Sequence, residues 1–445
     1  MIARTAAALL ITTLAAVPIE VALAQSDGDR LRQGYDSALQ AMQNDLANPE
    51  RSFEFVQAAT DVGDYRGAIA ALERILLINP NLANIKLELG VLYLRVGSPD
   101  LAVNHINEAL AAPNVPEIVR VRAEELLSTA QAQVRSWSIT GSVFVGGRFD
   151  TNANTAPGSG LVQTPFGPAT LSNEATKQPD WSAVTTLSTR FVYDFGNQSS
   201  DTLEANLLGY LSRYREQHQV NLALIDLDVG PRFHIGTDAT PTLSVRPYAR
   251  LGYINLGDRN YLSSYGAGVG VRKLIGGDLS IELDANYAHR PHYNSDLRPF
   301  NSDRTGDLLS TRLDLIYQVS PTTALTVRGQ LGRNIARRGY ESYWDWALAA
   351  GIIQSYDAPF GVTLRPWTTA LDLQVRRTEY DDGDPFVDPA NPRDERRYDV
   401  FLTTEVPVTE RLSAVLVLQR TVNEANLVNY RFNNSSVMAG VQYRF

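Results

Sequence analysis

Residues 437–445 read Val-Met-Ala-Gly-Val-Gln-Tyr-Arg-Phe, and this stretch decides the fold. In an extended strand Val437, Ala439, Val441, Tyr443 and Phe445 share one face, and Met438, Gly440, Gln442 and Arg444 share the other. A final strand with an apolar outer face and an aromatic end is how outer-membrane barrels close, with lipid outside and polar groups inside. On that reading Tyr443 and Phe445 belong to the signal recognised by the barrel-assembly machinery.

The same period of two runs backward to about Trp137. Leu279, Ile281, Leu283, Ala285 and Tyr287 alternate with Ser280, Glu282, Asp284 and Asn286. Leu313, Leu315 and Tyr317 alternate with Arg312 and Asp314, and Leu371, Leu373 and Val375 with Asp372 and Arg376. About fourteen such segments are long enough for tilted membrane strands. Arg312, Asp314, Arg328, Asp372 and Arg376 are then candidate lumen residues, with ion pairs expected among them. A soluble sandwich would need the opposite arrangement, apolar inward.

Connections support the barrel. Short turns are expected at Gly196-Asn197, Gly236-Thr237, Gly276-Gly277, Ser320-Pro321, Ala358-Pro359 and Pro407-Val408. Longer loops are expected over 151–179, 291–303, 337–341, 379–393 and 423–430. Outer-membrane barrels keep short turns on the periplasmic side and long loops outside. An even strand count returns both ends of the barrel to the periplasm, where the preceding residues must also lie.

Those preceding residues have a different period. From about Arg30 to Gln133 Ala and Leu recur at spacings of three and four, the mark of helices. Gly63, Ala68, Ile69, Leu72 and Ile75 line up with Gly97, Ala102, Val103, Ile106 and Ala109, a repeat of about 34 residues. Leu89-Gly90 followed by Tyr93 fits the first helix of a tetratricopeptide repeat, and a generic helical bundle has no need of that match. Flanking helices are expected to cap the stack. Asn84, Leu87, Val91 and Leu94, along the first helix of the second copy, are candidate client-binding residues of its groove.

The expected organisation is therefore a secretory signal at 1–24, a helical repeat domain at 25–135 and an antiparallel transmembrane β-barrel at 136–445. The signal rests on Arg4, the apolar stretch from Ala6 to Ala16 and the small-x-small pattern at Ala22-Leu23-Ala24. Composition agrees: hydrophobic residues are 44%, mean hydropathy is −0.18, and tyrosines number 20. Membrane helices would need apolar runs of about 20 residues, whereas barrel strands average to modest hydropathy. With no cysteine there is no disulfide, and a net charge of −9 argues against nucleic acid as a partner.

Chemical motifs are sparse. Asp150-x-Asn152-x-Asn154 opens like a calcium loop, but Thr155 and Leu161 replace its glycine and glutamate. Asp381, Asp382, Asp384 and Asp388 read as a solvated acidic loop. Gly266, Gly268 and Gly270 share one face of a strand, so they do not form a nucleotide loop, which must open a helix. They are expected to leave a stretch of lumen wall bare. His289 and His292 lack a third ligand or a nucleophile. Neither an enzyme nor a cofactor is expected.

A short helical repeat stack ahead of a barrel of about fourteen strands resembles the surface lipoprotein assembly modulator family. Asp150-Thr151-Asn152-Ala153-Asn154 after the first strand, and Asn433-Asn434 ahead of the closing Tyr443-Arg444-Phe445, are similar to stretches of that family. The resemblance implies a translocator whose repeats receive a client lipoprotein or secreted protein, or its chaperone, in the periplasm. The barrel would then deliver it to or across the surface. An exopolysaccharide exporter is the alternative that also joins helical repeats to a barrel. A diffusion porin would not need the repeats, and an adhesive barrel would work through its loops.

Overall fold

A computed structural model of the chain describes residues 26–445, apart from 46–47, 113–114, 116, 135, 173–174, 198, 237–241 and 362–364. The signal at 1–24 and the turn residue Thr237 lie outside the described residues. The chain separates into two compact units on either side of the Ser136–Trp137 bond.

Among the described residues the first unit has six helices. They are α1 (Ser26–Asn44), α2 (Pro49–Asp61), α3 (Tyr65–Ile78), α4 (Ala83–Arg95), α5 (Pro99–Leu110) and α6 (Glu117–Val134). Local chemistry sets their starts. Asn48 caps α2 by accepting from the Glu50 amide at 3.0 Å, and Asp64 caps α3 by accepting from Gly67 at 3.0 Å. Pro49 and Pro99 open α2 and α5, where a missing N–H costs nothing. Gly63 and Gly97 follow α2 and α4 with φ of 82° and 73°, so both copies of the repeat turn on the same left-handed residue.

The repeat positions are the core. Ala68, Leu72, Leu89, Ala102, Ile106 and Ala109 are fully buried. Each large one contributes about 1.5–3 kcal/mol relative to exposure. A Cβ on Gly90 would lie 2.5 Å from Ile106 Cγ1, so only glycine lets α4 approach α5 this closely. Tyr93 ties the copies together: its hydroxyl donates to Glu73 on α3 at 2.6 Å, and its ring stacks on His105 of α5 at 5.3 Å. Burial, then Glu73, pushes the Tyr93 phenol up to about 12.

The second unit begins with β1 (Trp137–Asp150), followed by a small hairpin of β2 (Leu161–Thr164) and β3 (Gly167–Thr170). Then come β4 (Asp180–Asp194), β5 (Thr202–Tyr214), β6 (Leu222–Ile235), β7 (Leu243–Leu256), β8 (Asn260–Ile275) and β9 (Leu279–Arg290). The last seven are β10 (Gly306–Ser320), β11 (Thr323–Ala336), β12 (Tyr343–Tyr356), β13 (Trp367–Asp384), β14 (Asp388–Pro407), β15 (Leu412–Ala425) and β16 (Phe432–Arg444). Leaving out the small hairpin, these fourteen described strands form one closed antiparallel barrel in which β1 pairs with β4 on one side and β16 on the other.

The barrel is inside out relative to a soluble protein. Along β12, Trp344, Trp346 and Leu348 point outward and are 49%, 42% and 50% uncovered, while Asp345 between them is 5%. Leu283, Leu313, Leu331, Leu373 and Val441 repeat that pattern around the wall. Soluble monomers rarely expose apolar patches beyond a few hundred Å², so this wall faces a bilayer. Closure leaves no unpaired strand edge in lipid. The barrel is of outer-membrane type.

Loop lengths depart from the expected asymmetry. The glycine turn at Gly276 and Gly277 has φ of 63° and 85°, as a tight primed hairpin requires, and 151–179 is long. Yet β7 and β8 join through only 257–259 at the long-loop end, and the connection between β12 and β13 at the other end spans 357–366. The expected loop 379–393 is instead mostly strand: β13 and β14 pair onward through Gly383↔Pro392 to Asp384↔Asp388. Two register shifts absorb the prolines, which cannot donate to a regular ladder.

Candidate functional site

Alternation along the strands sends a set of charged side chains into the lumen, where they meet in pairs. Asp314 accepts from Arg312 at 2.7 Å and from Arg328 at 2.8 Å. Arg376 binds Asp345 at 2.7 Å and reaches Gln330 at 3.4 Å. Glu204 accepts from Arg190 at 2.7 Å and Arg232 at 2.8 Å, and Arg250 binds Asp226 at 2.9 Å. Of the candidate lumen residues, Arg312, Asp314 and Arg328 come together, and Arg376 joins Asp345. Asp372 lies on the adjoining wall without a cation within 4.0 Å among the described residues. A cavity of ≈ 350 Å³ is lined by Asp226, Arg250, Asp284, Arg312, Asp345 and Arg376 among others. Arginines and carboxylates are interspersed on these walls, two cations sharing one anion at Asp314 and at Glu204, so the lumen is polar and carries both signs of charge.

Gly266, Gly268 and Gly270 fall on the inward side of β8, but the bare wall expected there is absent. The ring of Tyr248 covers Gly268, with its Cζ and hydroxyl 2.5 Å from where a Cβ would sit. That hydroxyl donates to Asp284 at 2.8 Å, and Gly270 faces the same carboxylate. Backbone of β9 closes over Gly266. The glycines make room for neighbours, which a one-strand reading cannot reveal.

Barrel closure brings the two asparagine-rich stretches together. Asn434 donates from Nδ2 to Asp150 Oδ1 at 2.7 Å, and its Oδ1 accepts from the Asn152 amide at 2.9 Å. Asp150 also accepts from Arg148 at 2.8 Å and from the Tyr214 hydroxyl at 2.9 Å. Asn152 donates to the Asn433 carbonyl at 3.1 Å and to the Ala156 carbonyl at 3.0 Å. Asp150 and Asn152 are 1% and 0% exposed, so the calcium-like spacing serves as a seam latch between β1 and β16. Tyr214 belongs to none of the motifs read from the sequence, whereas Asn434 lies in the Asn433-Asn434 stretch. Asn-rich ends on the first and last strands were the available signal.

At the other end of that seam Phe445 and Gly141 exchange backbone hydrogen bonds at 3.0 and 3.1 Å, and the Phe445 ring lies over Gly141. Tyr443 pairs with Val143 and faces outward. In the acidic stretch Asp381 binds Arg333 at 2.6 Å, Asp384 accepts from the Phe386 amide, and Asp388 from Ala390 and Asn391. These carboxylates thus have separate protein partners. His289 contacts Asp307 at 2.7 Å, and His292 the Arg290 carbonyl at 3.0 Å.

The expected groove face on α4 needs correction. Asn84 is exposed and Val91 half-buried, but Leu87 is 2% exposed and clusters with Ala102, Ile106, Ala123 and Ala130 of α5 and α6. Leu94 packs against the same cluster. Leu87 is a core residue and cannot contact a client. The polar surface of α4 carries Lys86 bound to Glu108 at 3.1 Å and Glu88 bound to Arg122 at 3.2 Å.

No family model and no curated protein matches this chain. Among solved structures it is similar to an anion-selective porin from Comamonas acidovorans, at 10% identity and TM-score 0.35, over 70% of this chain and 99% of that one. The outer membrane channel DcaP of Acinetobacter baumannii is similar at 10% identity and TM-score 0.38, over 69% and 97% of the two chains. The type III secretion translocator chaperone SycD of Yersinia enterocolitica is similar at 12% identity and TM-score 0.22, over 24% of this chain and 77% of that one. On its own geometry the chain is a closed antiparallel outer-membrane barrel preceded by an α-helical repeat unit.

Proposed function

We propose that this protein is an outer-membrane translocator that delivers partner proteins, surface lipoproteins or small secreted proteins, to or across the cell surface. The helical repeats receive the client in the periplasm, and the barrel carries it onward. One observation carries this reading: the repeat unit runs directly into β1, at the barrel end that holds the Gly276–Gly277 turn. We take this end as the periplasmic one because the long connections 151–179 and 291–305 lie at the other, which would put the repeats where an exported client arrives. A diffusion pore has no use for a covalently attached repeat stack. The paired charges of the lumen suit an uncharged or mixed-charge polypeptide segment better than a strongly charged polymer.

Deleting the gene in the native host and labelling surface proteins tests the proposal. Loss of one or a few lipoproteins or small exported proteins from the labelled set is expected. Unchanged labelling together with disappearance of a surface polysaccharide would replace it with the exporter reading.

A further inference from the structure

We propose that the mouth of the barrel opposite the Gly276–Gly277 turn holds a separate small-ligand site, shaped for a ring-bearing carboxylate. It lies between residues 291–305 and the tip of the β13–β14 hairpin, and it stands apart from client delivery.

A cavity of ≈ 410 Å³ there is lined by Tyr261, Arg298, Phe300, Arg304, Tyr340 and Phe386 among others. Its apolar wall is assembled from two segments. Phe300 and Phe386 stack at 4.9 Å with 24° between their planes, and Tyr340 meets Phe386 edge-on at 6.4 Å. Both phenylalanines stay more than half exposed, 59% and 53%, although they sit on loops that project into water. Faces of this kind stack on planar or ring-shaped ligands.

The cationic component is Arg298. Its guanidinium donates to the carbonyls of Gln219 at 3.0 Å and Leu256 at 3.4 Å, and it sits over the Tyr261 ring at 5.9 Å. Those contacts hold it in place but supply no counter-charge, because no carboxylate lies within 4.0 Å of it among the described residues. The neighbouring Arg304 is different, since it has Glu341 at 2.9 Å and the Tyr261 hydroxyl at 3.3 Å. Asp384, another acid of this wall, already accepts from the Phe386 amide at 2.8 Å and the Tyr430 hydroxyl at 3.2 Å. Burial pushes the Arg298 guanidinium below its ordinary range, Tyr261 opposes that shift, and Arg304 adds a little to it. A fixed, half-buried guanidinium with free donors beside exposed aromatic faces accepts a carboxylate through charge-assisted hydrogen bonds while the faces take its ring.

The test is fluorine NMR on the full chain in detergent, with 4-fluorobenzoate and the neutral 4-fluorobenzyl alcohol as probes. The acid should bind at least about tenfold tighter than the alcohol, the scale of one charge-assisted contact. Arg298→Gln should erase that preference, Arg298→Lys should keep most of it, and Phe386→Ala should weaken both probes. Glucuronate as competitor separates the sources: displacement assigns the site to sugar acids, and failure to displace assigns it to aromatic acids. Equal binding of acid and alcohol, or a preference unchanged in Arg298→Gln protein that migrates as a folded barrel, overturns the proposal. Failure here leaves client delivery untouched.

Discussion

Asn434 on the last barrel strand donates to Asp150 on the first at 2.7 Å, across the seam where the sheet closes on itself. The seam ladder is short, running from Ser142↔Arg444 to Asp150↔Ser436. Side chains therefore matter there more than along longer ladders. Removing Asn434 leaves the buried Asn152 amide without its acceptor and takes one donor from Asp150, which keeps Arg148 and Tyr214, at a cost of about 1–3 kcal/mol. Asn434→Ala should lower the temperature at which the folded band is lost on heat-modifiability gels, and Asn434→Asp should lower it further by placing a second carboxylate beside Asp150. An unchanged transition for both would mean the latch does not hold the seam.

Gly268 and Tyr248 should behave as a coupled pair. Gly268→Ala drives a methyl into the Tyr248 ring and should destabilise the barrel on its own. In a Tyr248→Ala background the same change should cost much less, with a coupling of about 1 kcal/mol or more. Urea unfolding midpoints of the four proteins measure it, and strict additivity would show that the ring does not rest on the glycine.

The helical unit offers an internal contrast on one helix. Leu87→Ala should open the α4–α5–α6 core at a cost of about 2–4 kcal/mol. Asn84→Ala, at the surface, should stay within about 0.5 kcal/mol. Limited proteolysis of the full chain should cut the helical residues faster in the first variant and at the parent rate in the second. Equal rates would return Leu87 to the surface.

Phe445 closes the foot of the seam against Gly141. We propose that it also forms, with Tyr443, part of the signal for barrel assembly. Phe445→Ala should reduce the fraction of chain reaching the folded membrane form while leaving the transport carried out per inserted barrel unchanged. The ratio of transported client to folded band checks this. A normal folded fraction would remove Phe445 from assembly.

Much of this fold is legible in the residues because both units rest on strict periods. The alternation of Leu279 to Tyr287 locates a strand and its inward face without a partner in view, and the spacing of Gly63 and Gly97 locates the repeat. What was not legible depends on neighbours. Leu87 reads as surface or core according to whether another helix covers it, and α6 does. The prolines at Pro389 and Pro392 suggest a loop, yet a hairpin with register shifts accommodates them. Asp150 and Asn434 meet only after every intervening strand has taken its register, so their contact has no local trace. The Arg298 mouth likewise joins segments that are separate in sequence.

On our proposal the repeats receive the client and the barrel delivers it. The direct measurement is surface labelling of that client in a deletion host carrying either the full chain or a chain lacking residues 30–133, with the folded barrel quantified in the same membranes. Equal folded barrel and loss of client from the surface without the repeats are expected on this proposal. Delivery at the full level by the shortened chain would contradict it.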